Sequence, residues 1–392
     1  MSSTTSSVTP QLGGLAGVAL FLVTVLAFVA ESQLTQYVQT DLHYHKPFFI
    51  FYFVHSALAI TFPLHLLYLS VASKHSIVAI LRGLRIAISN HLSTDAGSGS
   101  KAFPYSRFLW LVLLLTFGIT CPSILWFAAI SLASVSDVTA IWNTNAFFAY
   151  LITVQVFKLQ WEARKLIAVV IATLGVAVVV YGGVTSGGEA TSGIIEISSV
   201  PSAPVVGSIL TLVASIGYGL YQVLYKMYAA LPSDPEAKQH TPYQPIPDDG
   251  EIAAENEEYA VHHPPLGLHA DLLTSLIGVA TFLVLWIFIP VLHKTGVETF
   301  RWPSDRHTVL SIVAIALTGV VFNAGLMMLL SIWGPIITSV GNLLSIVVVV
   351  IYEVIFGNGL ATLTVWSLLG CGVIVLAFGV LAYDMFTQQP SE

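Results

Sequence analysis

Ten apolar stretches, each about twenty residues long and almost free of charge, succeed one another from Leu12 to Tyr383 and fix the solvent in which this chain can fold. A helix of about twenty apolar residues crosses the hydrocarbon layer of a bilayer, and its backbone groups are then satisfied within the helix rather than by lipid. The sequence therefore predicts an all-α integral membrane protein with ten transmembrane helices, over residues 12–34, 47–70, 108–132, 136–157, 166–181, 205–228, 269–292, 309–332, 335–356 and 363–383. Residues 108–157 and 309–356 are each too long for one span and too apolar for loops. They are divided near Ser131 to Ser134 and at Trp333-Gly334-Pro335.

Composition agrees: 56% of the 392 residues are hydrophobic and 9% are charged, where a soluble domain carries about a quarter charged residues. The formal net charge of -7 owes much to one loop holding Asp248, Asp249, Glu251, Glu255, Glu257 and Glu258, and no basic surface for nucleic acid is expected. Cys121 and Cys371 fall inside apolar stretches, where they read as packing residues rather than a disulfide or metal site. The first ten residues lack the positive charge of a secretory leader, so the first span reads as retained.

Lysine and arginine in short loops mark the cytoplasmic side. With the N-terminus inside, ten of the 14 lie in inner loops and four (Lys46, Lys294, Arg301 and Arg306) in outer ones, which places both termini in the cytoplasm. The expected organisation is a tail at 1–11, a first five-helix repeat at 12–228, an acidic Pro-rich cytoplasmic linker at 229–265, a second five-helix repeat at 266–384 and a tail at 385–392. An odd number of helices per half makes the second half enter the membrane from the opposite side. Traces of similarity fit this: Thr139, Asn143 and Phe157 align with Thr338, Asn342 and Phe356, and Gly175 and Gly182 meet Gly372 and Gly379 after a two-residue gap.

The run from Asp137 through Thr139, Trp142-Asn143-Thr144-Asn145 and Phe147 to Tyr150, followed by Trp161-Glu162 and Gly175, resembles the EamA-type drug/metabolite transporters. Ser32-Gln33-Leu34-Thr35-Gln36-Tyr37, Lys46-Pro47-Phe48-Phe49, Tyr221-Gln222-Val223-Leu224-Tyr225-Lys226 and the stretch from Gly334 to Asn342 are similar to the eukaryotic solute-carrier group that includes fungal and animal thiamine-linked transport proteins. The resemblance implies two inverted repeats, alternating access, a central solute cavity and an internal membrane such as Golgi, ER or vacuole.

Polar positions within the spans supply the candidate site. Asn342, Ser345 and Tyr352 recur on one helical face, with Glu353 beside it as a candidate proton carrier. Asn143, Phe147 and Tyr150 share a face of the fourth span, and paired amides at Asn143 and Asn342 would suit a polar solute. Structural reading competes at each: Asn in a membrane helix also bonds neighbouring helices, Asp137 reads as a helix cap, and Glu353 lies within a turn of the surface. Tyr221 and Lys226 enter mainly through the resemblance, since tyrosine and lysine at that depth commonly belong to the interfacial belt. His55 is a second candidate for proton coupling. His65, ten residues on, lies about 15 Å further along a helix and cannot share a ligand with it; Asn323, Glu31, Trp142 and Asn145 rank lower.

The predicted function is a secondary transporter for a small neutral or cationic metabolite, vitamin-like in the manner of thiamine. A cargo with two phosphates would need several cavity-facing cations, and Lys226 is the single candidate. The alternatives are a nucleotide-sugar or other organic-anion exchanger and a receptor or scaffold that binds without transport. No clustered acid-base or metal motif and no nucleotide loop points to an enzyme, and no cofactor is expected.

Overall fold

In the computed structural model, which describes residues 15–72, 76–93, 103–130, 132–133, 135–158, 161–181, 204–231, 265, 267–356 and 365–387, the chain is a bundle of helices with no strand among those residues. In chain order these are α1 (Leu15–Thr40), α2 (Pro47–Ala57), α3 (Thr61–Ala72), α4 (Ile77–Leu92), α5 (Tyr105–Ile130), α6 (Val135–Asn143), α7 (Asn145–Val156), α8 (Ala163–Tyr181), α9 (Pro204–Leu224), α10 (Leu268–Leu285), α11 (Phe288–Thr295), α12 (Arg306–Asn342), α13 (Leu344–Phe356) and α14 (Val365–Thr387). Six continuous helical segments are long and apolar enough to cross a membrane: 17–39, 47–72, 105–129, 205–229, 268–285 and 306–342. Leu22, Leu67, Trp110, Phe117, Leu174, Ile209, Leu283 and Leu376 stand more than half exposed along the helices. A fold that turns such side chains outward is suited to lipid rather than water.

Breaks fall where backbone chemistry requires them. Pro47 opens α2 at a position whose N–H has no helical partner. A 3₁₀ turn at Leu58–Ile60 joins α2 to α3, and Thr144 interrupts the fourth expected span between α6 and α7. Gly334, at φ 76° and ψ 173°, breaks α12 immediately before Pro335, in a backbone region that glycine enters without steric cost. Both divisions placed by the sequence, near Ser131 to Ser134 and at Trp333-Gly334-Pro335, thus coincide with element or backbone breaks.

The linker does not divide the chain as the sequence reading had it. α9 precedes it, so six expected spans lie before residues 229–265 and four after, and an equal division falls instead in 182–203, between α8 and α9. The acidic loop, residues 232–264, lies outside the described residues. One element was not anticipated: α4, between the second and third spans, buries Ala79, Ile80, Gly83, Leu84 and Ile88 and turns Val78 and Arg85 outward.

Four helix pairings carry the interior. α1 runs antiparallel to α12, with Gly325 against Thr24 and Gly319 against Glu31 and Val54. α5 runs antiparallel to α9, where Gly118 meets Tyr221 and Gly217 meets Pro122. α8 meets α14 through Gly175 and Gly370, a Cβ at Gly175 falling 2.9 Å from Ile374 Cγ1. α2 and α3 lie against α10, Ser275 Oγ donating to the Ala59 carbonyl at 2.6 Å. Small residues allow this backbone approach, which in lipid replaces the hydrophobic drive available in water.

Candidate functional site

α1, α2, α5, α6, α9 and α12 line a central, partly open cavity of about 60 Å³. That volume holds a few waters and no ring-sized solute, so anything larger bound here requires the helices to part. Polar groups on its wall are Glu31 and Ser32 from α1, His55 from α2, Ser123 from α5, and Asn323 and Asn342 from α12. The remaining wall is largely aromatic. Trp142 lies 4.8 Å from Tyr218 and 6.2 Å from Trp126, ring centre to centre, and Phe28 lies 4.8 Å from Phe322.

Among the described residues Glu31 is the one carboxylate on this wall. Its Oε2 is buried and has no hydrogen-bond partner, and its Oε1 lies against Gly319, where a Cβ would come within 3.0 Å. His55 Nδ1 donates to the Phe51 carbonyl at 3.3 Å, leaving Nε2 as the second polar atom of the ring. Asn323 Nδ2 donates to the Gly319 carbonyl at 2.9 Å.

Of the residues ranked first in the sequence, Asn342 and His55 line the cavity, joined by Glu31, Trp142 and Asn323, which ranked lower; Asn143, Phe147, Tyr150, Tyr221, Lys226 and Ser345 are not on its wall. Asn143 is buried and is not on its wall, where its neighbour Trp142 stands, so Asn342 does not meet Asn143 across the cavity as expected. Phe147 and Tyr150 pack in a separate apolar cluster with Val340 and Ile346, Tyr150 Oη donating to the Glu162 carbonyl at 3.2 Å. Ser345 is buried in α13. The side chains of Tyr352 and Glu353 lie outside the described residues.

Tyr221 and Lys226 belong to a clamp at the end of the bundle where α9 finishes. Tyr221 Oη lies 3.4 Å from Met327 Sδ, Tyr225 Oη 3.1 Å from Ser331 Oγ, and Lys226 Nζ donates to the Ser331 carbonyl at 3.0 Å. The helix widens to a π turn at Tyr225–Ala229, a deformation often found at functional sites. Nearby, Ser339 Oγ donates to Gln222 Oε1 at 2.6 Å. Tyr218 is seven residues before Tyr225, so the cavity sits about 10 Å inside this clamp.

A second clamp closes the opposite end. The Glu298 carboxylate accepts from the backbone N–H of Phe48 at 2.9 Å and of Phe49 at 3.0 Å, capping α2 from the far half of the chain. Lys46 Nζ donates to Thr299 Oγ1 at 3.2 Å, Tyr44 Oη donates to the Arg301 carbonyl at 2.8 Å, and Phe49 packs edge-on against Phe300 and Trp302. Burial raises the Glu298 proton affinity above the ordinary carboxylate range, opposed by the Phe48 and Phe49 N–H groups and by Lys46. Burial, with Glu298 adding to it, pushes the Tyr44 phenol up to about 12. His55 lies eight residues into α2, about 12 Å inside this clamp.

A buried pair went unread in the sequence: His65 Nδ1 lies 2.5 Å from Asp271 Oδ2, joining α3 to the first turn of α10. The signal available was that both are ionisable residues inside expected spans, where a partner is the usual condition of survival.

No family model matches the chain. It is similar to the Thiamine-repressible mitochondrial transport protein THI74 of Saccharomyces cerevisiae, 23% identical over 314 residues, covering 74% of this chain and 71% of that protein. It is also similar to the Uncharacterized transporter C405.03c of Schizosaccharomyces pombe, 23% identical over 268 residues, covering 67% of this chain and 66% of that one. Both names are those of transporters, in agreement with the expectation that this chain is not an enzyme. A solved structure titled only "Crystal structure of protein" shares the fold at a TM-score of 0.53 with 12% identity, over 96% of this chain and 99% of that one.

Proposed function

We propose that this chain is a secondary transporter that carries a small neutral or cationic metabolite across an internal membrane by alternating access at the central cavity. The observation that supports the reading is a polar, carboxylate-bearing cavity between the helices of a lipid-suited bundle, with a separate clamp on either side of it along the helices. Two clamps that open in turn are what alternating access requires.

The pairing of helices supports two inverted five-helix repeats. Shifting every span by five turns the first–eighth pair (α1 with α12) into the sixth–third pair (α9 with α5). The second–seventh, fourth–ninth and fifth–tenth pairs map onto themselves. The transporter names of the two fungal proteins support the same class. Among the described residues no lysine or arginine lines the cavity, which disfavours a phosphorylated cargo. Mitochondria join Golgi, ER and vacuole as membranes to examine, because the budding-yeast relative is named mitochondrial.

Uptake by purified protein in proteoliposomes, over a panel of vitamins including thiamine, nucleosides, amino acids and nucleotide sugars, tests the proposal. Saturable uptake of at least one solute, reduced by Asn342→Ala, is the expected result. A solute that raises the melting temperature but never enters the vesicles would make the protein a receptor instead.

A further inference from the structure

We infer that the central cavity takes an organic cation rather than a neutral solute, with Glu31 as its countercharge and the rings of Trp126, Trp142 and Tyr218 as its walls. The inference rests on the transport reading above and deepens it by naming a substrate class.

Glu31 brings a carboxylate into the bundle, on the cavity wall, with Oε2 buried and unpartnered. A carboxylate in such surroundings carries a large desolvation cost unless a cation or proton joins it. The structure offers it neither a lysine nor an arginine: none lines the cavity among the described residues, and Lys226 donates to the Ser331 carbonyl at the end clamp. His55 Nδ1 is directed to the Phe51 carbonyl and not to Glu31. The position of the carboxylate is built, because Gly319 on the facing helix leaves room for Oε1 that any Cβ would take.

The wall around it is chosen similarly. Trp126, Trp142 and Tyr218 form a continuous aromatic surface, with Trp142 between the other two at 6.2 Å and 4.8 Å. Ring faces attract cations, most strongly for tryptophan and in the absence of water. Amides at Asn323 and Asn342 then supply direction through hydrogen bonds without adding charge. A neutral solute would use the rings and amides but gain nothing from Glu31, which a proton would then neutralise.

Three soluble ligands of nearly one shape test this: 1-methylnicotinamide, a cation; nicotinamide, neutral; and nicotinate, an anion. Binding of each to the purified full-length protein at pH 7.5 is read by thermal shift and titration calorimetry. The expected result is at least about tenfold tighter binding of 1-methylnicotinamide than of nicotinamide, and none of nicotinate, following the range for desolvated cation and ring contacts. Glu31→Gln is expected to bring the two amides within about twofold, while Glu31→Asp keeps a preference and shows that the charge, not the fold, is read. Trp142→Ala is expected to weaken the cation about three- to tenfold, by loss of one ring face.

Equal binding of nicotinamide and 1-methylnicotinamide, binding of neither, or a cation preference that survives Glu31→Gln would overturn the inference. Uptake of neutral solutes that depends on Asn342 would leave transport standing and remove the cation. Cation-selective binding without uptake would do the reverse.

Discussion

Replacing Glu298 with alanine removes both acceptors that cap α2 and ought to loosen the clamp at that end of the bundle. The two bonds, at 2.9 and 3.0 Å to the Phe48 and Phe49 N–H groups, join a loop before α12 to the start of α2, so they form only when the halves are together at this end. Losing an N-terminal cap to alanine costs about 0.5–2 kcal/mol, and a half-buried carboxylate meeting two donors belongs in the upper part of that range. A change of about 1–2 kcal/mol corresponds to a roughly 5- to 30-fold rise in the open population. The reporter is a cysteine at Ser32, on the cavity wall, in a background with Cys121→Ser and Cys371→Ser. Its rate of modification by a charged maleimide follows the open population when opening and closing are faster than the chemistry. The expected result is a rate increase within that range, in a variant that elutes as the unaltered protein does. An increase of less than twofold would refute the role given to Glu298.

The same carboxylate predicts a pH dependence. Its proton affinity is raised in the closed clamp, so closure is favoured by protonation: the stabilisation is fully present below the ordinary glutamate value and is lost as pH rises through the raised one. Labelling of the Ser32→Cys reporter should therefore slow on acidification, and Glu298→Gln should flatten the profile. Asp271→Ala leaves His65 Nδ1 without its partner and should cost about 1–3 kcal/mol, the usual result of leaving a largely buried polar group unsatisfied, read as a loss of thermal stability in detergent. Gly334→Ala places a Cβ on a residue held at φ 76°, ψ 173°, a region almost confined to glycine, and should cost about 1–3 kcal/mol, checked by the same melt; an unchanged melting temperature would show that the break relaxes freely.

The six helices long and apolar enough to span are legible in the sequence because a twenty-residue apolar run has few alternatives in a bilayer, and the breaks are legible less evenly: Gly-Pro announces the one at Gly334, and nothing announces the one at Thr144. The site was harder. Glu31 ranks lower in the sequence because it stands near the end of a first span drawn to Leu34. In the structure α1 continues to Thr40, six residues or about 9 Å further, and the carboxylate is carried into the bundle. Trp142 ranks below Asn143, one residue on and about 100° around a helix, because the sequence assigns the cavity to the face shared by Asn143, Phe147 and Tyr150. The interruption at Thr144, where the side chain bonds to the Ile141 carbonyl at 2.6 Å and to Ser215 at 2.9 Å, decides that orientation, and it depends on a helix seventy residues away. The pairing of His65 with Asp271 is likewise a property of how α3 meets α10, which no local pattern encodes.

Alternating access makes its most direct claim on the Ser32→Cys reporter in sealed proteoliposomes of known orientation, probed with an impermeant thiol reagent from each face. The account predicts modification from both faces, and that a short bismaleimide bridge between cysteines at Lys46 and Thr299, which pins one clamp shut, abolishes modification from that face alone. Modification from a single face under all conditions, or from both faces with the clamp pinned, would contradict it.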